Sequence, residues 1–184
     1  MARLLIAYAT KEGHTGHIAE RMRETLAARG HDVRLARVGK APTEVPADTD
    51  AVIVGGSIHA GKHQPELVAF AREHRDRLAR LPSAFFTVCL TAVDDTPEAA
   101  AETAKYVQQF IAESGWRPAR TAAFAGRLAW TQYDFFTRLV MKLVTRQHGL
   151  TDQDTSRDYD YTDYEAVRRF AEDVAATVEP RRAA

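Results

Sequence analysis

The sequence predicts an α/β fold, a doubly wound sheet of five mainly parallel strands with helices on both faces. Two observations carry that prediction. Short apolar runs alternate with segments of helical period from Leu4 to Val174, the order that right-handed crossovers convert into a parallel sheet covered on both sides. A length of 184 residues suits one domain with its own core. Such sheets bind ligands beyond the carboxyl ends of their strands, near the switch in strand order, so the loops after the first, third and fourth strands become the places to look.

Each element follows from its residues. The apolar run Leu4 to Ala9 ends in the polar loop Thr10-Lys11-Glu12-Gly13-His14-Thr15-Gly16, after which Ile18, Met22 and Leu26 recur four apart up to a stop at Gly30. Val33, Leu35 and Val38 mark a short second strand, and Pro42 and Pro46 exclude a long helix before Asp50. Ala51-Val52-Ile53-Val54 is a buried third strand. The loop Gly55 to Gly61 follows it, then a helix that Pro65 opens and that carries Leu67, Phe70, Leu78 and Leu81. Ala84 to Leu90 is the fourth strand and Thr91 to Asp95 a loop. Thr96-Pro97 caps and opens a helix expected to turn Ala100, Ala104, Val107 and Ile111 inward before Gly115 stops it. Thr121 to Ala125 is the fifth strand, and the last helix begins at the capping box Thr162-Asp163-Tyr164-Glu165 with Val167, Phe170 and Val174 on one face. Arg181 to Ala184 are expected to fray.

Residues 128–160 break the alternation and read as an insertion within a single domain spanning 1–184. Its first half is predicted helical, with Phe135, Phe136, Leu139, Val140, Leu143 and Val144 on one face and Arg138, Lys142 and Arg146 along another edge. Thr151 to Asp160 is polar and acidic loop. The helix either packs its apolar face onto the domain or offers it, flanked by cations, to a membrane interface or a hydrophobic anionic substrate.

Composition narrows the function. Hydrophobic residues at 45% and charged ones at 27% describe a folded chain. Lysine and arginine, 25 together, balance 25 aspartates and glutamates, so the overall field favours neither nucleic acid nor an acidic carrier, and electrostatic recognition must be local. The single Cys89 excludes an internal disulfide and a cysteine zinc site and fits a reducing cytoplasm. The first apolar run is too short for a secretory core or a membrane span.

The first loop carries the strongest local signal. In T-x-x-G-x-T at Thr10, Gly13 and Thr15, between strand and helix, small residues let amides converge, hydroxyls add donors, and the helix start favours a phosphate. A plain glycine turn with threonine caps is the other reading. Gly56-x-x-x-x-Gly61-Lys62 approaches a nucleoside-triphosphate loop, but His63 stands where a Ser or Thr should reach magnesium. A backbone-rich loop lying close to a flat ligand suits that segment better. The pairs His14/His17 and His59/His63 lack carboxylate or cysteine partners at ligand spacing, so no metal site is expected. Cys89 reads as a small core residue without a catalytic role.

With its three loops in order, nearly the whole chain resembles the flavodoxin-like proteins, and more closely the flavodoxin-type protoporphyrinogen oxidases. The closer resemblance rests on Ser57-Ile58-x-x-Gly61, Leu81-Pro82-Ser83-Ala84-Phe85-Phe86, Ser114-Gly115-Trp116-Arg117-Pro118, the Phe136 to Leu143 helix, and Tyr161-Thr162-Asp163. It implies a strand order 2-1-3-4-5 and FMN as cofactor, its phosphate in the loop Thr10, Lys11, Glu12, Gly13, His14 and Thr15. The flavin ring would lie between Ser57, Ile58, His59, Ala60 and Gly61 on one side and Leu90, Thr91, Ala92 and Val93 on the other. His59-Ala60 stands where relatives carry Arg-Tyr, and the third loop also lacks an aromatic, so stacking partners are missing from both.

The implied chemistry is oxidation of protoporphyrinogen IX to protoporphyrin IX in haem biosynthesis, with electrons passed to menaquinone or ubiquinone. The flavin carries the reaction, so no catalytic side chain is expected. Arg138, Lys142 and Arg146 would meet porphyrin propionates or lipid phosphates, and the place of work would be the cytoplasm, with peripheral contact at the inner membrane. A flavodoxin-type electron carrier and an FMN-dependent NAD(P)H:quinone reductase are the alternatives, since fold does not fix function.

Overall fold

The computed structural model describes residues 1–133, 141–142, 145–146 and 154–178. Strands β1 (Arg3–Tyr8), β2 (Asp32–Arg37), β3 (Ala51–Ser57), β4 (Ser83–Cys89) and β5 (Arg120–Ala125) form one parallel sheet. Its order is β2-β1-β3-β4-β5. The central strands are apolar on both faces because both are covered, and β4 is buried along its whole length. β2, at an edge, alternates exposed and half-buried residues instead.

Helices α1 (His14–Ala28), α2 (Pro65–Glu73), α3 (Arg75–Leu78), α4 (Pro97–Ser114) and α5 (Tyr164–Ala175) cover the sheet. Ile18, Met22 and Leu26 of α1 and Val167, Phe170 and Val174 of α5 share one core with Phe86 and Phe124. Leu67 and Phe70 of α2 and Val107 and Phe110 of α4 share the other with Phe85 and Trp116. The adjacent phenylalanines of β4 thus serve opposite faces, as strand geometry requires. Phe85 stacks on Phe110 with ring centres 4.0 Å apart.

Three elements differ from their sequence reading. The helix opened by Pro65 divides at His74, whose Nε2 lies 2.9 Å from the Thr43 carbonyl oxygen. In α4 the buried stripe is Ala99, Thr103, Val107, Phe110 and Ser114, leaving Ala100 and Ala104 exposed. Four alanines near the start of that helix gave no orientation; the aromatic surface of Phe110 sets it. The cap of α5 is Asp163, one residue after the predicted Thr162, and its carboxylate accepts from the amides of Glu165 and Ala166.

After β5, the two-residue strands β6 (Arg127–Leu128) and β7 (Tyr159–Asp160) pair antiparallel, Arg127 opposite Asp160 and Leu128 opposite Tyr159. This pair brings residues 127–128 and 159–160 together. Met141, Lys142, Thr145 and Arg146 are helical, with Thr145 buried and Lys142 and Arg146 exposed. Phe135, Phe136, Arg138, Leu139, Val140, Leu143 and Val144, like Arg181 to Ala184, lie outside the described residues.

Candidate functional site

The loop after β1 is shaped by Thr10 and Gly13. Thr10 Oγ1 accepts the Gly13 amide at 2.9 Å, and Gly13 takes a φ of 89°, a conformation that glycine adopts without strain. Gly13 caps α1 with no side chain, and the amides of Gly16 and His17 both turn back to its carbonyl. The amides of His14 and Thr15, at the very start of the helix, are left without intrahelical acceptors. Beside them the Thr15 hydroxyl is buried and has no hydrogen-bond partner. An orphaned hydroxyl and two orphaned amides at a helix N-terminus form a receptacle for an oxyanion.

Near the carboxyl end of β3, Gly55 and Gly56 lie against large neighbours. A Cβ at Gly55 would fall 2.0 Å from Phe86 Cζ, and one at Gly56 2.4 Å from Leu67 Cδ2. The Ile58 amide is tied to the Val88 carbonyl at 2.9 Å. Gln64 Nε2 donates to Ser57 Oγ at 2.8 Å, and the same oxygen is hydrogen-bonded to His59 Nε2 at 3.1 Å. Burial lowers the His59 pKa, with Glu12 opposing and Lys11 adding to the shift. His59 and Lys62 exchange backbone bonds across Ala60 and Gly61, both at positive φ, a tight two-residue turn. Buried His63 packs edge-on against Phe85 and Phe110 and bonds to Thr87 Oγ1 at 2.9 Å. Burial brings its pKa down to about 4, so it is a neutral core residue and no part of a nucleotide loop.

A cleft runs between these loops. Thr10, Glu12, His14, Thr15, Ser57, Ile58 and His59 line one side, with Val88, Cys89 and Leu90 at the end of β4. Gly126, Arg127, Leu128, Tyr133 and Met141 close it from the opposite side. That far wall was not anticipated. Its joint is Thr162, whose hydroxyl donates to the Ala125 carbonyl at 2.9 Å and so must accept from His14 Nε2–H at 2.8 Å. Burial lowers the His14 pKa; Asp160 opposes this, and Arg127 and His17 reinforce it. Asp160, 3.5 Å from the ring, therefore faces a neutral imidazole. Burial works against the Asp160 charge too, but hydrogen bonds from Tyr164 and Thr162 hold its carboxyl below the usual value. In the sequence Thr162 belongs to the resemblance motif Tyr161-Thr162-Asp163 and to the capping box Thr162-Asp163-Tyr164-Glu165, and neither points to this wall.

Of the residues singled out in the sequence, Thr10, Glu12, His14, Thr15, Ser57, Ile58, His59 and Leu90 meet in the cleft. Gly13 shapes it from the backbone. Lys11 lines a neighbouring hollow instead. Ala60 and Gly61 form the exposed tip of their turn, and Thr91, Ala92 and Val93 lie in one turn of 3₁₀ helix, Leu90–Val93, outside the lining. Lys142 and Arg146 are not in the lining either, and Arg138 is outside the described residues. Burial raises the Cys89 thiol to about 11. Tyr133, the aromatic that the second and third loops lack, donates to Glu12 Oε2 at 3.4 Å and accepts from the Ala129 amide at 3.3 Å. Burial first, then Glu12, pushes its phenol up to about 12.

A five-stranded parallel sheet in this order, with an oxyanion receptacle after β1 and a cleft beyond β3 and β4, defines a nucleotide-cofactor protein of flavodoxin type. Residues 5–156 match the flavodoxin domain family, and the chain belongs to it. Protoporphyrinogen IX dehydrogenase (quinone) of Escherichia coli K12 is 33% identical over 172 residues, 93% of each chain. The protein of that name from Leishmania major is 34% identical over 175 residues, 94% of this chain and 74% of its own. Among solved structures, a short-chain flavodoxin associated with a bacterial microcompartment superposes with a TM-score of 0.58 at 14% identity, covering 97% of this chain and 100% of its own. Flavodoxin 1 of Bacillus cereus gives 0.56 at 14% identity over the same shares, 97% and 100%. At such identities the likeness is one of fold.

The residues present fit the family's cofactor, FMN. The receptacle at Thr15 offers donors to a phosphate and has no carboxylate in the first turn of α1 to repel one. The cleft beyond it has aliphatic walls at Ile58, Val88 and Leu90 suited to a flat ring.

Proposed function

We propose that this chain oxidises protoporphyrinogen IX to protoporphyrin IX with FMN and passes the electrons to a quinone. The observation that carries the reading is the partnerless Thr15 hydroxyl at the N-terminus of α1, facing the cleft of a chain alike over 93% of its length to protoporphyrinogen IX dehydrogenase. FMN, when bound, supplies the acceptor for two reducing equivalents at a time. The protein's residues do the rest. Thr15 and the first amides of α1 hold the phosphate, and Ser57, Ile58, His59 and Leu90 border the ring. Cys89, its thiol protonated at neutral pH, takes no part in electron transfer. Tyr133 and Met141 narrow the mouth of the cleft and limit access of water and oxygen.

Further assignments belong to the same proposal. Residues 1–184 are one domain, and 128–160 is an insertion that brings the quinone, menaquinone or ubiquinone, to the cleft. Exposed Lys142 and Arg146 face anionic lipid on the cytoplasmic side of the membrane. No helix among the described residues is long and apolar enough to cross a bilayer, and contact of this kind needs none.

The test is anaerobic. The purified protein is reconstituted with FMN, protoporphyrinogen is added, and flavin absorbance is followed before and after a menaquinone analogue. Bleaching followed by recovery is the expected result. Flavin that binds yet stays oxidised would favour an electron carrier or, if NADPH bleaches it, a nicotinamide-dependent quinone reductase.

A further inference from the structure

A second hollow lies one strand over from the flavin cleft, at the carboxyl ends of β2, β1 and β3. It is basic. Lys11 follows β1, Arg37 and Lys40 lie at the end of β2 and just beyond it, and Lys62 follows the turn after β3, so three separate connections deliver cations to one place. Glu66 is the one carboxylate in its lining. Several arginines elsewhere are matched by carboxylates: Arg21 pairs with Glu24, Arg29 with Glu172 and Arg127 with Asp158. Among the described residues none of these four cations forms an ion pair, in a chain whose charges balance at 25 to 25.

The shape of the hollow is fixed. The Arg37 guanidinium reaches the Thr10 carbonyl at 3.3 Å. Lys62 is held by its two backbone bonds to His59, across a turn in which Ala60 accepts a left-handed φ of 49°, a conformation costly for a residue with a Cβ. The N-terminus of α2 also opens here, with Gln64 making no side-chain cap, so the helix field adds to the positive charge. Thr10 and His59 line this hollow and the flavin cleft alike, so a ligand seated in one lies beside the other.

We propose that the hollow binds the acidic groups of the substrate, the propionate carboxylates of the porphyrinogen, while its macrocycle reaches over His59 towards the flavin cleft. This rests on the function proposed above. Arg37 offers a fork for one carboxylate, and Lys40 and Lys62 are point charges for another. The phosphates of a nicotinamide dinucleotide would use the same chemistry and are the competing source.

The test compares the FMN-loaded full chain with K40Q/K62Q and R37Q/K40Q/K62Q. These positions are exposed, so the fold should be untouched. Protoporphyrin binding is followed by fluorescence, for the free diacid and for its dimethyl ester, alongside NADPH binding and the KM for porphyrinogen. Diacid binding should weaken about tenfold in the triple variant, as two or three exposed ion pairs supply. Ester binding and kcat should stay within about twofold, and so should the FMN dissociation constant in K40Q/K62Q, which keeps the Arg37 bond to Thr10. Equal loss for diacid and ester, or no loss for either, would overturn the proposal, as would NADPH binding that depends on these cations when diacid binding does not. A wild-type chain that binds the diacid through these cations but does not oxidise porphyrinogen would sink the proposed reaction while leaving the hollow its ligand.

Discussion

The two walls of the cleft beyond β3 and β4 are built in different ways. The near wall is made of strand-end loops, each shaped within a few residues: Thr10 bonds to Gly13, His59 to Lys62, and Leu90–Val93 closes as one turn. The far wall is made of contacts between remote segments: Leu128 pairs with Tyr159, Thr162 joins Ala125 to His14, and Tyr133 reaches Glu12. A locally closed loop keeps its form wherever its strands are held. A wall of distant contacts exists only once the sheet and α5 are in place, and it is therefore the wall expected to open first.

The largest test strikes the strand beneath the near wall. Gly55→Ala puts a methyl group into the Phe86 ring and should cost about 3 kcal/mol, read from the urea midpoint; a loss below about 1 kcal/mol would mean that β3 yields more easily than its packing indicates. His63, behind the same wall, makes stability depend on pH. Its folded pKa of about 4 lies below the ordinary 6.5, so the unfolded chain takes up the proton first. Stability should be full above pH 6.5 and fall towards pH 4 by about 3 kcal/mol. In His63→Gln that acid-side slope should flatten, and an unchanged slope would assign it to other groups.

Thr15→Val separates binding from folding. The change removes a buried hydroxyl without a partner, so the apoprotein should keep or gain stability, while the FMN dissociation constant rises about tenfold or more for loss of a charged hydrogen bond. A variant that binds FMN as before would show that the phosphate lies elsewhere. The smallest effect belongs to the far wall. Thr162→Val strands the His14 Nε2–H and the Ala125 carbonyl, at a cost of about 1–2 kcal/mol, and hydrogen exchange should quicken in residues 126–133 before it does in β1 or β3. Equal exchange in both walls would erase the distinction between them.

What could be read in the sequence follows the same division. The five strands, the Thr96 cap and the inner face of α5 were visible because period, caps and proline positions are properties of neighbouring residues. The face of α4 is not legible in its own residues because alanines are apolar without being decisive, and the partner that orients Phe110, Phe85 of β4, lies in another segment. The box pattern makes Thr162 a cap because that pattern is local, whereas its partners His14 and Ala125 are far away in the chain.

The alternating elements, the glycine-rich segment after β3 and the T-x-x-G-x-T turn were legible in the amino-acid order alone, since each depends on torsional preferences and hydrogen bonds spanning a few residues. That Tyr133 and Thr162 complete the cleft, and that Lys11, Arg37, Lys40 and Lys62 share one hollow, depends on the folded chain. Charges on separate loops become neighbours only when parallel strands bring their carboxyl ends to one edge of the sheet, and that juxtaposition follows from strand order rather than from local sequence.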